Sequence, residues 1–548
     1  MAQDHPYTHI IVGAGSAGCV LANRLSADPN RRVLLLEAGG SDRNPLIHMP
    51  AGLFFMIESE NANNWMFYAE DEPGLMREGG MPLPRGRGLG GSSLLNAQLY
   101  LRGVPEDYNT WEKMGLEGWS HSDVLPYFKR SERFHGPLNA ARSDKGELHV
   151  RPHQSNNALY DAFIQSMEGL QFSYVEDPNH SVGLNSFRIQ HCQNPNTGRR
   201  CSTKVAFLNP AMGRKNLTVH KHSHATRIIF EKDVAVGVEY IRDNKKMTAY
   251  ADSEIVISCG VYQGPLLLML SGIGPGDHLK DHGIDVIVDN EKVGADLCEH
   301  IGTGVQHACT VPITMARDMT TLGQIKAAAR AFFLGSGPFT YMPFEGGFYA
   351  KFDKALDRPD LMYYFGHLAY LGDEMEHVTD HGYFLAWQHM NPEVLGNVRL
   401  RSANPLDAPK IKHNFLATEG DMQAHRYAFD LARHVMAQGP FDRYRGVEFT
   451  PGPQMTEKED IDQYIRSTSL RYYAPSGTCA MSADQSKVTN AELKVEGVRN
   501  LRVVDASIFP TWTTANPNGV VIMVAEKASD MIMGKEALPP IDLGHRAA

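Results

Sequence analysis

Residues 8–28 read THIIVGAGSAGCVLANRLSAD. Ile10-Ile11-Val12 is apolar and β-branched, and too short for a helix. The chain then breaks at Gly13, Gly15 and Gly18 and resumes with Ala17, Val20, Leu21, Ala22 and Leu25 at helical spacing. That is strand, tight turn, helix. Each glycine answers a physical need: Gly13 permits the turn, Gly15 lets backbone approach a pyrophosphate, and Gly18 lets helix and strand pack closely. Free N–H groups and the helix dipole then favour an anion at the helix N-terminus. A second strand, Arg32 to Leu36, ends at Glu37, roughly twenty residues on, where a carboxylate can accept the hydroxyl hydrogens of an adenosine ribose. The alternative is a glycine-rich turn in some other α/β domain.

At 548 residues the chain exceeds one usual core, so two or more domains are expected. Net charge is −10 with no long block of like charges. This argues against nucleic acid as the main partner and against a basic membrane-docking surface. The seven cysteines are scattered and lack zinc spacing, so no disulfide framework and no metal are expected, and the compartment is read as reducing. The first strand starts too early for a secretory signal, and no apolar run is long enough for a transmembrane helix; peripheral membrane contact is left open.

Further along, Gly52 to Ile57 (GLFFMI) reads as core or as a flexible wall near a ligand. Pro84 to Arg102 (PRGRGLGGSSLLNAQLYLR) interleaves glycine and serine with Arg85 and Arg87, then continues as an amphipathic, helix-like run. It is either a second cradle of backbone donors or a sharp connection. Asp107 to Lys129 reads as helical, His135 to His149 as an exposed linker, and Asn157 to Leu170 as a helix. Val219 to Tyr240 reads as a β-hairpin, Glu254 to Ser258 as a buried strand, and Leu266 to Leu270 as a helix. Between Gly302 and Arg466, strand-like runs at Tyr363–Phe365 and Tyr383–Trp387 alternate with helices such as Glu419 to Gln438. Asn500 to Ser507 reads as a strand and Gly519 to Met533 as a strong helix.

Together these stretches resemble the glucose–methanol–choline oxidoreductase family. The resemblance rests on Val12 to Glu37 with Ala38-Gly39, on Gly86-Arg87-Gly88-Leu89-Gly90-Gly91-Ser92-Ser93 through Asn96-Ala97, and on Gly260 to Pro275 (GVYQGPLLLMLSGIGP). It rests also on Pro475 to Met481 (PSGTCAM) with Arg502 to Ser507 and Asn516, and on Val293 to Leu297 with His300. It spans essentially the whole chain, in the right order, and within the family leans toward bacterial choline dehydrogenases and aliphatic alcohol dehydrogenases. It implies FAD. Gly13, Gly15, Ser16, Ala17 and Gly18 would turn around the pyrophosphate, with Glu37 and Ala38 at the adenosine ribose and Ala225 at the adenine. Trp65, Arg87, Gly90, Gly91, Ser93, Asn96, Ala97 and Leu99 would pass along the pyrophosphate and isoalloxazine. Gly260, Asp505, Ala506, Asn516, Pro517 and Asn518 would close over the ribityl chain and flavin ring. Some members attach FAD through a histidine in the Gly-Gly-Ser stretch; here that position is Leu95, so non-covalent FAD is expected. For Trp65 and Trp387, core packing is the stronger reading over substrate contact.

An alcohol proton is held too tightly at neutral pH to leave unaided, so hydride transfer from carbon to flavin N5 calls for a base. In the family a histidine supplies it, in a Tyr-His-Pro-x-Gly-Thr-Cys context. This chain reads Tyr473-Ala474-Pro475-Ser476-Gly477-Thr478-Cys479, so the position is Ala474, while its partner is present as Asn516. Three readings stay open: a variant in which histidine was replaced, a natural alanine with another base (His389 and Tyr473 being candidates), or a reaction without alcohol deprotonation.

The expectation is therefore an α/β fold. A doubly wound, Rossmann-like FAD-binding domain (1–155, 195–305 and 465–548) is interwoven with a substrate-binding domain (156–194 and 306–464) built on a mostly antiparallel sheet with helices. The expected reaction is FAD-dependent oxidation of a primary alcohol to an aldehyde, with an electron acceptor that the residues do not name. The rivals are a flavoprotein with lyase or light-driven chemistry and a redox-inert binding protein. The expected location is cytoplasmic, or peripheral at the inner membrane.

Overall fold

The computed structural model describes residues 6–57, 60–77, 79–153, 157–180, 183–371, 376–377 and 380–544. The expected domain limits at 1, 155, 156 and 548 fall outside those residues.

The opening stretch folds as its glycines dictate. β1 (Tyr7–Val12) ends at the turn, α1 (Ser16–Leu25) follows, and β2 (Val33–Leu36) pairs parallel to β1. Gly13 has φ +98°, and a Cβ on Gly18 would stand 1.9 Å from the Gly13 carbonyl oxygen. Ile10, Ile11 and all of β2 are sealed from solvent, and each such side chain contributes about 1.5–3 kcal/mol of burial.

The rest of this sheet comes from far along the chain. β3 (Leu217–His220) lies parallel to β2. β4 (Ser223–Glu231) and β5 (Val234–Arg242) form the expected hairpin from Ser223 onward, while Val219 and His220 of the expected range belong to β3. β6 (Lys245–Ile257) serves two neighbours: its first half pairs antiparallel with β5, and its second half runs parallel to β1. The strand Leu501–Val503 pairs with β6 on the other side, and α2 (Gly260–Leu270) leaves the end of β6. The order is β3-β2-β1-β6-β5-β4.

A second, nine-stranded sheet is almost wholly antiparallel. It is built on β7 (Gly304–Cys309), β8 (Phe344–Ala350), β9 (Leu361–Gly366), β10 (Gly382–His389) and β11 (Arg445–Thr450), in the order β11-β7-β10-β9-β8. Between β7 and β8 runs α3 (Thr321–Leu334); between β10 and β11 runs α4 (Glu419–Met436). The two-residue period of β9 sends Tyr363 toward α4, where its hydroxyl donates to the Ala428 carbonyl at 3.1 Å, and Tyr364 to the opposite face. Trp387 is fully buried under α4 and donates to His425 Nδ1 at 3.1 Å, which makes it a core residue. α5 (Pro517–Met533) packs on α1.

Four local expectations change. The run after Ser93 is not helical. A single turn, Gly91–Leu94, gives way to extended chain, because Gln98 takes φ +63° and the Gln98 carbonyl and Tyr100 N–H pair with the strand Gln190–Cys192. The helix over Asp107 to Lys129 is two helices, Pro105–Lys113 and His121–Ser131, broken at Gly115 and Gly118, both at positive φ. His135 to His149 is only partly an exposed linker: Arg142 is buried, stacked 3.6 Å from the Phe134 ring and paired with Glu132 and Asp177. The strand at Asn500 to Ser507 stops at Val503, and Asp505 caps the next turn by accepting from Ser507 N at 2.8 Å.

Candidate active site

A cavity of about 740 Å³ lies between the two sheets. Gly13, Gly15, Ser16 and Ala17 line it from the β1–α1 turn; Glu37, Ala38, Ala225 and Gly260 line it from the neighbouring strand ends and α2. Trp65, Arg87, Gly91, Asn96, Ala97 and Leu99 form a second wall, with Leu95 beside them. Asp505, Ala506, Asn516, Pro517 and Asn518 form a third. Gly90 and Ser93 stand behind the second wall: Gly90 N donates to the Ala14 carbonyl at 2.7 Å, and Ser93 Oγ bonds the Gly90 carbonyl at 2.6 Å and Thr203 Oγ1 at 2.9 Å.

Two helix N-termini meet at this cavity. α1 has Gly15 as N-cap and α5 has Asn516, and neither is capped by a side chain. Ser16 Oγ donates to Asn518 Oδ1 at 2.7 Å and ties the two ends together. Their first N–H groups and both dipoles favour a bound anion, which suits a pyrophosphate. Glu37 is buried, and both its oxygens are engaged: Oε2 accepts from Ala14 N at 2.9 Å and Oε1 from Gly39 N at 2.7 Å. Burial pushes its carboxyl pKa up against these bonds. A carboxylate has about four lone-pair sites, so ribose hydroxyls can still be accepted there. Arg87 lies 4.4 Å over the Trp65 ring, so Trp65 is both a packing surface for Arg87 and part of the cavity wall.

The substrate-side wall was only partly legible. Tyr364 and Tyr472, stacked with centroids 5.7 Å apart, and Phe344 face the cavity, as do Leu53, Phe54 and Ile57 of the GLFFMI stretch. Asn516 Nδ2 donates to the Tyr364 hydroxyl at 3.3 Å, while Asn516 Oδ1 is buried with no partner among the described residues. Burial raises the Tyr364 pKa well beyond the neutral range, so its hydroxyl keeps its proton.

Ala474 is buried, with Tyr473 and Pro475 on either side lining the cavity. Its N–H donates to Glu299 Oε1 at 2.6 Å. Glu299 also accepts from His300 N at 2.9 Å and pairs with Arg85, which donates in turn to the Tyr473 carbonyl at 3.3 Å. Glu299 thus holds the 474 turn from behind. His389 is enclosed near His425 and Asp421, away from the cavity lining, and burial lowers its pKa to about 4. Tyr473 lies in the left-handed region, under Arg471.

Burial lifts the Glu299 pKa from 4.5 to about 7, against Arg85. The folded protein then binds more protons than the unfolded chain between those values, so this group makes stability fall as pH rises through that window. The whole effect is roughly 3 kcal/mol at about 1.4 kcal/mol per unit. Glu299→Gln should flatten the decline in denaturant midpoint between pH 4.5 and pH 7; a variant profile parallel to the native one would refute the assignment.

The GMC oxidoreductase N-terminal and C-terminal sequence profiles match residues 7–302 and 392–525. The mitochondrial choline dehydrogenase of Mus musculus is 38% identical over 545 residues, covering 97% of this chain and 90% of its own.

The chain belongs to the GMC oxidoreductase family.

An oxygen-dependent choline dehydrogenase of Brucella anthropi is likewise 38% identical, covering 97% of this chain and 96% of its own. Pyridoxine 4-oxidase from "Mesorbium loti" superposes with a TM-score of 0.86 at 27% identity, covering 97% of this chain and all of the other. A formate oxidase of Aspergillus oryzae gives 0.89 at 23% identity, over 97% of this chain and 99% of the other, a likeness of fold. The α/β architecture, a Rossmann-like sheet interwoven with an antiparallel one, is therefore the family's flavoprotein fold, and the chain is an FAD-dependent oxidoreductase. The residues fit that cofactor: two uncapped helix ends, a glycine turn open to the cavity at Gly15, and an unpartnered buried nitrogen on Arg87.

Proposed function

We propose that this protein oxidises a neutral, apolar primary alcohol to its aldehyde, and does so without a histidine base. The observation that carries the proposal is Asn516. Its Nδ2 is committed to Tyr364, and its buried Oδ1 is left to accept a hydroxyl hydrogen inside an aromatic-walled cavity. FAD, when bound, supplies a two-electron acceptor for the hydride. The β1–α1 turn, Glu37, Arg87, Asn96 and the Asp505–Asn518 wall are the residues that would hold it. Tyr364 and Asn516 orient the alcohol, and the apolar wall packs against its carbon chain. The Ala474 methyl group can take no proton, and Glu299 is spent on the backbone and Arg85, so the alcohol is bound and oriented while its hydroxyl proton passes to solvent water with no side chain to take it. His389 does not repair this, being enclosed away from the cavity, and Tyr473, which lines the cavity under Arg471, is the one other candidate.

The same alanine favours one rival, a flavoprotein whose reaction needs no alcohol deprotonation, such as a lyase or a light-driven step. The assay is aldehyde formation by the FAD-loaded protein with an artificial electron acceptor, in the dark and in light. Short and long primary alkanols are compared with choline, the substrate in the relatives' names. Aldehyde from alkanols in the dark supports the proposal; product only in light supports the rival, and none at all contradicts the proposal.

The FAD is held without a covalent bond, because Leu95 has no nucleophile where some members carry a histidine. Acid precipitation should leave all the flavin in the supernatant; flavin retained in the pellet would contradict this. The division into 1–155, 195–305 and 465–548 against 156–194 and 306–464 is part of the same proposal, supported by the two separate sheets. Strands 301–302 and 470–471, which join the second sheet, lie close to its limits. Among the described residues no helix is long and apolar enough to cross a membrane; the location proposed is cytoplasmic, or peripheral at the inner membrane.

A further inference from the structure

α3 is amphipathic the wrong way round. An ordinary surface helix turns its large apolar side chains to the core. Here the core face carries the small residues Ala327 and Ala331, while Leu322, Ile325, Phe332, Phe333 and Leu334 stand in solvent, Phe333 at 78% exposure. At 100° per residue, Leu322, Ile325, Phe332 and Phe333 fall on one stripe, with Lys326 and Arg330 along its flank. The helix is fixed at both ends: Thr320 Oγ1 accepts from Gly323 N at 3.2 Å, and Gly335 stops it at φ +60°. The ridge is therefore part of the folded surface. It continues toward the cavity. α3 packs on the turn Pro338–Thr340, where Phe339 meets the exposed Phe55 at 6.4 Å, and Leu53 and Phe54, next to Phe55, line the cavity.

Charge narrows the choice of occupant. No acidic residue occurs between Met319 and Phe344, in a chain of net charge −10. Lys326 and Arg330 are exposed, and the Arg199 guanidinium lies 5.4 Å over the Phe332 ring. A second copy across a two-fold axis would bring these cations against their own duplicates with no carboxylate on the helix to answer them. An anionic lipid surface answers both features: phenylalanine and leucine enter the acyl boundary while lysine and arginine reach the phosphates.

We propose that the α3 face is a docking surface for an anionic bilayer, seating the protein with the apolar wall of its cavity beside the lipid. This deepens the peripheral location proposed above and rests on it. The overall negative charge, which argued against a basic docking surface from composition alone, does not reside on α3, which has no acidic residue.

The test is sedimentation of the FAD-loaded full chain with vesicles of phosphatidylcholine, with and without phosphatidylglycerol. The native protein should bind the mixed vesicles and release as salt rises. Phe332→Ser with Phe333→Ser, and independently Leu322→Gln with Ile325→Gln, should lower the partition by about tenfold or more. Lys326→Glu with Arg330→Glu should remove the dependence on phosphatidylglycerol. Flavin content and melting temperature should stay native, since all these side chains are exposed. Native binding unchanged in both apolar double variants would overturn the α3 assignment and leave the peripheral location standing. Absence of native binding would overturn both. Concentration-dependent self-association abolished by the same variants, without vesicle binding, would identify a second copy as the occupant and overturn the proposal.

Discussion

Ala474→His should accelerate anaerobic reduction of the bound flavin by a primary alcohol by about two to four decades, the usual contribution of a positioned general base. That is about 3–5 kcal/mol of barrier. The turn is already held for such a side chain. Glu299 fixes the Ala474 N–H, Ser476 exchanges backbone bonds with Cys298 at 3.1 and 2.9 Å, and Tyr473 and Pro475 both border the cavity. In the proposed reading Asn516, with its unpartnered Oδ1, is the second polar group on the alcohol oxygen. The gain should also have a pH signature. Neutral imidazole is the competent form, so the rate should climb with pH through the ordinary histidine range near 6.5, a rise that the native chain should not show. Ala474→Gln, similar in size and without a titrating nitrogen, should give no such gain. A histidine variant that binds FAD normally and reduces it no faster would sink the base-less account.

Gly18→Ala should strip the protein of FAD. The added methyl would stand 1.9 Å from the Gly13 carbonyl oxygen and 3.0 Å from its carbon, both backbone atoms that cannot swing aside. The strand–turn–helix unit must then spread, and with it the α1 N-terminus that faces the cavity. Overpacking of this kind costs about 1–3 kcal/mol or more. Because the displaced amides belong to the proposed cofactor site, affinity for FAD should fall by about two decades, at about 1.4 kcal/mol per decade. The ratio of flavin to protein absorbance after gel filtration reads this directly. Gly169→Ala is the control, since nothing lies within 4 Å of a Cβ there. Full flavin occupancy in the Gly18 variant would show that the close approach is not needed.

The β1–α1–β2 unit was legible because its signals are local: a β-branched run, three glycines at fixed spacing and a helical period. So were β9, β10, α4 and α5, each long or strongly patterned. What failed was set by distant partners. Leu94 to Leu101 has helical spacing, yet its backbone pairs with Gln190–Cys192, and that pairing overrides propensity. Arg142 reads as a loop cation, and only the fold brings Glu132 and Asp177 to it. At the site, Gly15 and Glu37 carry local signals, a glycine spacing and a strand-end carboxylate, while Asn516 was expected from the family resemblance, and all three line the cavity. Glu299 lies 175 positions from Ala474, and Tyr364 lies 152 from Asn516, so nothing local marks either pair. The alternation in β9 was the available signal for Tyr364: burying Tyr363 under the helix puts its neighbour on the cavity face.

The most direct test of the central claim is anaerobic stopped-flow absorbance of the visible flavin band, in the dark, for the native chain and Ala474→His mixed with primary alcohols. An alcohol oxidoreductase lacking its base should bleach slowly as isolated and much faster with the histidine restored, in both cases with a rate that depends on alcohol concentration. Full flavin content with no bleaching in either protein, across short and long alkanols and choline, would contradict the account.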